Sequence, residues 1–297
     1  MNSRTLLFIL ILTLFSCKNK DDDGSPSNYS IEDNLIMLTL LDESLSECSG
    51  LIMYHDTLWT HNDSGNDPKI YSIPEDQADI DEKVNITNAS LVDWEDIAQD
   101  DDFIYIGDFG NNSGERQDLT IYKVPKSNLP DDTEAEKLYF LFSDQTNFNN
   151  PSSMHNYDCE AMITFEESIF IFSKNHLDKK TRRYKLTKSP GIQVAQKVDE
   201  FDVDGLITGA GFDKNSNTLC LLGYNPNDTN FDPFVWIFYD FSGTDFFNGK
   251  SKRVNLPIQA QTEGICYKEN GKFLISSEDE NGDMASLYLF DAEKWKE

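Results

Sequence analysis

The chain predicts an all-β fold, a five-bladed β-propeller, on three observations. A phrase made of acidic or small polar residues, a strand start and a second apolar run recurs five times; its internal spacing is nearly constant; and a spare strand is left at each end. The phrases are SECSGL with LWTHND and KIYSI, DWEDI with IYIGDFGNN and TIYKV, DCEAM with IFIFSKNH and RRYKL, TGAGF with LCLLGYN and VWIFYD, and TEGICY with FLISSED and LYLF. Aligned on the first apolar residue, they fall at Leu51, Ile97, Met162, Phe212 and Ile265. The second strands begin at Leu58, Ile104, Ile169, Leu219 and Phe273, an offset of seven residues in four phrases and eight in the fifth. A period of about 50 residues with one four-stranded sheet per repeat points to radial stacking, because a lone sheet cannot bury both faces.

The elements follow in order. Residues 1–16 read as an export signal: Arg4 precedes an apolar run from Leu6 to Phe15 that is too short to span a bilayer. Leu14-Phe15-Ser16-Cys17 resembles a lipobox, so Cys17 is expected to be lipidated and to become the mature amino terminus. Residues 17–27 form a polar tether, whose Lys18-Asn19-Lys20-Asp21-Asp22-Asp23-Gly24 resembles a surface-export tag of one large group of Gram-negative bacteria. The expected address is therefore the outer membrane, facing the cell surface, with the periplasmic face as the alternative. Residues 28–297 remain for a single domain.

Before each phrase lies one more alternating stretch: Leu35 to Leu40, Glu82 to Ile86, Lys137 to Phe142, Val194 to Val203, and Lys252 to Leu256. Each supplies the outer strand of the preceding blade, so Leu35–Leu40 is expected to pair with the last blade, at Leu287-Tyr288-Leu289-Phe290, and close the ring. Six blades are the alternative count, for which no strands remain. Asn270-Gly271, Asn281-Gly282 and Asp204-Gly205 mark turns, and Asn147 to Asn156 reads as a long surface loop beside a site.

With 25 basic and 53 acidic residues, the net charge is −28. Such a surface repels nucleic acid and anionic membranes and attracts divalent cations, so membrane contact is expected through the lipid alone. A monomer is expected. Cys48, Cys159, Cys220 and Cys266 match no zinc spacing and are expected as buried thiols, although their even number also permits disulfides. Trp59, Trp94 and Trp236 are expected in the core between blades. The histidines form no H-E-x-x-H pair, and no G-x-S-x-G elbow, P-loop or dinucleotide fingerprint occurs.

Candidate chemistry gathers at one mouth of the channel. The start of each innermost strand and the end of its antiparallel neighbour lie at the same face. Two residues before the aligned positions stand Ser49, Glu95, Glu160, Ala210 and Glu263, and four before stand Glu47, Asp93, Asp158, Thr208 and Gln261. The second strands contribute Asp63, Asp108, Glu278, His61, Lys174 and His176 at their ends. Converging carboxylates raise one another's pKa unless a cation sits among them, and a flexible cage of oxygen ligands suits calcium. The alternative is that these acids accept backbone hydrogen bonds and hold the blades together.

Ser49-Gly50-Leu51, Asn62-Asp63-Ser64-Gly65, Asp93-Trp94-Glu95-Asp96 and Gly107-Asp108-Phe109-Gly110 resemble the SdiA-regulated/YjiK-like and esterase-like phytase propellers over essentially the whole mature chain. The strand-start register is also similar to the five-bladed calcium-activated apyrases. That resemblance implies a calcium held by Ser49, Glu95, Glu160 and Glu263, with the Ala210 carbonyl beside them. Apyrases carry an Arg in the segment matching Asn62-Asp63-Ser64-Gly65, and this chain has none, which weakens nucleotide hydrolysis. The favoured expectation is a surface-anchored module that binds calcium and, at the acidic mouth, a small molecule or extracellular partner. The alternative is a calcium-dependent phosphoester hydrolase in which Asp63 or Asp108 handles the attacking water and His176 offsets substrate charge.

Overall fold

The computed structural model describes residues 29–32, 35–74, 79–149, 151–226, 231–279 and 284–296. The export signal, Cys17, its tether and the Asn281-Gly282 turn lie outside them. Apart from four single-turn 3-10 helices, all regular structure in the described residues is β, and no helix there is long and apolar enough to cross a membrane.

Each phrase becomes a meander of antiparallel strands. The first is β3 (Cys48–Tyr54), β4 (Thr57–Asn62), β5 (Lys69–Pro74) and β6 (Glu82–Asn85), after β1 (Tyr29–Glu32) and β2 (Leu35–Leu40). The second is β7 (Trp94–Gln99), β8 (Phe103–Asp108), β9 (Thr120–Pro125) and β10 (Glu136–Phe142), and the third β11 (Asp158–Phe165), β12 (Ser168–Lys174), β13 (Lys180–Thr187) and β14 (Gly191–Asp202). The fourth is β15 (Leu206–Asp213), β16 (Thr218–Pro226), β17 (Phe231–Tyr239) and β18 (Lys250–Asn255). The last is β19 (Thr262–Glu269), β20 (Lys272–Ser277) and β21 (Ser286–Asp291), to which β2 adds a fourth strand and β1 a fifth. The β2–β21 pairing runs from Leu35 opposite Phe290 to Leu40 opposite Ser286, as the spare strands require.

The innermost strands touch in a ring: β3 packs on β7 and β19, β11 on β7 and β15, and β15 on β19. Five buried apolar clusters fill the seams between successive strand sets. Their side chains come from both faces of the alternating strands, and burying a Leu, Ile or Phe contributes about 1.5 to 3 kcal/mol each. The arrangement is propeller-like. Trp59 and Trp94 lie in one of these seams, and Trp236 packs, partly buried, against another and donates from Nε1 to the Val203 carbonyl at 3.0 Å. All four described cysteines are free, buried thiols.

One pairing was not foreshadowed. β14 reaches past its own sheet and pairs in parallel with β10, Leu138 to Phe142 opposite Gly191 to Ala195, so the second and third sets merge into one eight-stranded sheet. Its twelve-residue length makes this possible. Turn chemistry behaves as the sequence requires at Asn270-Gly271, where φ values of 48° and 73° give the left-handed pair that a tight hairpin needs.

Candidate functional site

Every innermost strand carries a bulge near its start. The register slips between Cys48 and Leu51, Trp94 and Asp96, Cys159 and Ala161, Ile207 and Gly209, and Thr262 and Gly264. A bulge re-aims a side chain and leaves a backbone amide without a ladder partner. The displaced residues are Ser49, Glu95, Glu160, Thr208 and Glu263, with Gly50 beside Ser49. In the fourth set this register puts Thr208, not Ala210, in the equivalent place. The physical reason is a longer hairpin: Asp213 pairs with Thr218 across four intervening residues, whereas Phe165 pairs with Ser168 across two.

Asp96 stands on the channel axis, fully buried. Its carboxylate accepts from the amides of Ile97 at 2.8 Å and Met162 at 2.6 Å, and the Ala210 amide faces it as well. It therefore collects backbone donors from three strand sets, between the bulged strand starts and the cavity at the strand ends. Burial pushes its pKa well above the ordinary carboxylate range, against the pull of those amides. A side chain at Gly50 would collide with Asp96 and the Ile97 backbone, which accounts for glycine there.

Above this residue the acids converge. One carboxylate oxygen each of Asp63, Asp93 and Glu95 lies within 4.8 Å of the others. Glu95 is 7% exposed, and its carboxylate has no hydrogen-bond donor among the described residues. Gly110 faces it, and any larger residue there would strike the Glu95 and Asp93 carboxylates. Burial and the neighbouring carboxylates push Glu95 well above its usual range, and Asp93 up to about 7. Burial and nearby acids likewise carry Glu263 and Glu278 to about 8.

The other expected ligands have partners. Glu160 is gripped through both oxygens by Lys174 Nζ, at 2.6 Å each, and both residues are buried. Burial lowers the lysine's proton affinity, but the surrounding Glu160, Tyr224, Glu263 and Asp158 outweigh it and hold Lys174 well above its ordinary value. Glu263 accepts from Gln261 at 2.8 Å, and the Ser49 hydroxyl lies 3.5 Å from the Glu47 carbonyl.

The three residues considered for catalysis separate. Asp63 joins the cluster. Asp108 is held by Arg116 at 2.9 Å, a loop arginine that also meets Asp118 and the Gly110 carbonyl. His176 Nε2 donates to the Asp158 carboxylate at 3.2 Å, which also receives the Asn111 amide at 2.7 Å. His61 does not reach the site. It is buried edge-on to Trp94, and burial lowers its pKa to about 4, so it is neutral. From the long loop, His155 lies 6.3 Å from His176, and its carbonyl accepts the His176 amide at 3.1 Å.

No family model matches the chain, and no curated protein matches it. Among solved structures it is similar to the PQQ-bound form of an aldose sugar dehydrogenase from Streptomyces coelicolor, at 11% identity and a TM-score of 0.47 over 86% of this chain and 97% of that one. A chain of the mitotic checkpoint complex gives 9% identity and a TM-score of 0.44, covering 94% of this chain and 99% of the other. Hydrazine synthase from Kuenenia stuttgartiensis gives 11% and 0.40, covering 84% and 64%. The first two are propeller-type folds.

Proposed function

We propose that the chain is an exported, lipid-anchored five-bladed propeller, related to the SdiA-regulated/YjiK-like group, that binds calcium at its acidic mouth and engages a ligand or partner there. The five seams and five bulged inner strands support the blade count. The observation that carries the cation reading is the Glu95 carboxylate: buried, without a donor among the described residues, and within 4.8 Å of Asp63 and Asp93. Crowding carboxylates at a largely buried position is costly, and a hard cation with oxygen ligands is their natural counter-charge. Glu95 is then the central ligand, with Asp63 and Asp93 beside it. Glu263 and Ser49 border the ion, and Glu160 joins only as far as Lys174 releases it. Lipidation at Cys17 rests on the lipobox and is read out by the shift of Cys17→Ala from membrane to soluble fractions.

Calorimetric titration with calcium tests the cation site. Binding should be saturable in the wild type and weakened at least about tenfold in Glu95→Gln, which keeps the shape and removes the charge. No calcium heat in the wild type would refute the reading.

A further inference from the structure

The far side of Asp96 is chemically unlike the near side. The carboxyl-terminal halves of all five innermost strands enclose a cavity of about 550 Å³, lined in part by Met53, Tyr54, Gln99, Lys126, Phe212 and Tyr267. That volume suits a small organic molecule. In a chain with twice as many acids as bases, this mouth places Lys126, Lys214 and Lys268 against Asp100 and Asp101.

Lys126 is the unusual member. It is 7% exposed, its ammonium lies 4.4 Å from the centre of the Tyr54 ring, and it donates to the Asp100 carbonyl at 2.5 Å. An ammonium has three donors, and among the described residues no carboxylate lies within ion-pair distance of this one. The neighbouring acids lie outside ion-pair distance, Asp102 on the exposed turn among them. Asp100 is bound by Lys188 at 2.8 Å, by the Tyr105 hydroxyl at 2.8 Å and by the amides of Phe103 and Asp102, while Asp101 is exposed and lies 3.8 Å from Lys214. A lysine serving only as packing would reach its amine to water along its flexible stem. Here the charge is buried against a cavity, where an uncompensated ammonium is costly and an anion would offset it.

We propose that this second mouth binds a small organic anion with a flat apolar body, its acid group on Lys126 and its body between Tyr54, Phe212 and Tyr267. Such a ligand enters opposite the acids and independently of the cation.

Titration calorimetry in chelator tests this, with phenylacetate and phenyl phosphate as anionic probes and 2-phenylethanol as the uncharged control. At least one anion should bind, at least about tenfold more tightly than the alcohol. Lys126→Met should weaken that binding at least about tenfold, Lys126→Arg should retain most of it, and Glu95→Gln should leave it unchanged. Lys214→Met, at an exposed rim position, should weaken it by a smaller factor. The proposal is overturned if neither anion binds, if the alcohol binds equally, if Lys126→Met with a native circular dichroism spectrum binds as the wild type does, or if Glu95→Gln abolishes binding.

Discussion

The two mouths of this channel are built from the same five strands, yet they hold opposite chemistry. At the strand starts, bulges turn Glu95, Glu160 and Glu263 inward and leave their repulsion to be relieved by protons, by Lys174 or by a cation. At the strand ends four of the five strands pair regularly and only β19 slips, between Tyr267 and Glu269; the wall mixes apolar and aromatic side chains with polar ones, and its buried charge is a lysine. The difference lies in how often the backbone is irregular: all five strands bulge at their starts, and a bulge spends one residue on the channel where a regular strand spends it on packing. Asp96, itself beside a bulge, lies between the halves.

The largest test of this division is Asp96→Ala. It strands two or more buried amides, each costing about 1 to 3 kcal/mol, so chemical denaturation should report a loss of about 3 to 5 kcal/mol. Asp96→Asn should rescue little, since its Nδ2 would face a donor. A loss below about 1 kcal/mol would mean that the strand sets are not held together by this residue.

Next is Lys174→Met, which leaves Glu160 buried and unpaired. In chelator it should destabilise by about 3 kcal/mol. Calcium should restore more of the loss than it adds to the wild type, because Glu160 becomes free to ligate. Equal calcium increments in the two proteins would show that Glu160 plays no part in the cation site.

Calcium at one hundred times its dissociation constant stabilises by about 2.7 kcal/mol, a rise in melting temperature of about 5 °C for a chain of this size. The pH dependence follows from the same acids. Asp93, Glu263 and Glu278 titrate near 7, 8 and 8 in the folded chain, above unfolded values of about 4. The folded state therefore holds more protons, the repulsive cost is complete above pH 8, and it is relieved as pH falls toward those unfolded values. In chelator, scanning calorimetry should find the melting temperature rising from about pH 9 to about pH 6, and calcium should flatten that slope by replacing the protons. A slope unmoved by calcium would separate the acids from the ion.

The smallest effect belongs to the other mouth. Burial raises Asp100, but Lys188, Tyr105 and the amides of Phe103 and Asp102 outweigh it and hold it at about 2. Its stabilisation is present above about pH 4 and is lost as pH falls through about 2. Solvent screening limits it, so Asp100→Asn should cost about 1 kcal/mol at neutral pH, equally with calcium and with chelator. A calcium-dependent loss would mean that the two mouths communicate.

The strand order was legible because alternation and spacing repeat: Leu35–Leu40, Glu82–Ile86 and Lys252–Leu256 reappear as β2, β6 and β18 within one or two residues. What spacing cannot carry is hairpin length. The fourth hairpin is two residues longer at the same apolar offset, so the inward position moved from Ala210 to Thr208. The acids at the mouth were legible from their register; their partners were not. Lys174 and Glu160 are joined by pairing of β11 with β12, Arg116 arrives from a loop, and Asp96 finds its donors on Met162 and Ala210, far along the chain. The parallel rungs between β10 and β14 have no local sequence mark, since both strands look like ordinary sheet edges.

Pairing of β2 with β21 joins Leu35 to Phe290 and so orders events in time. β2, made early in synthesis, must wait for β21, the last of the described strands, and until then each presents an open hydrogen-bonding edge. Neighbouring meanders can form from contacts within each repeat, but the final rung closes a loop that spans almost the whole domain, the slow class of contact. Assembly of this chain should thus be fast locally and late globally, with the unclosed ring as the species most exposed to strand exchange between molecules.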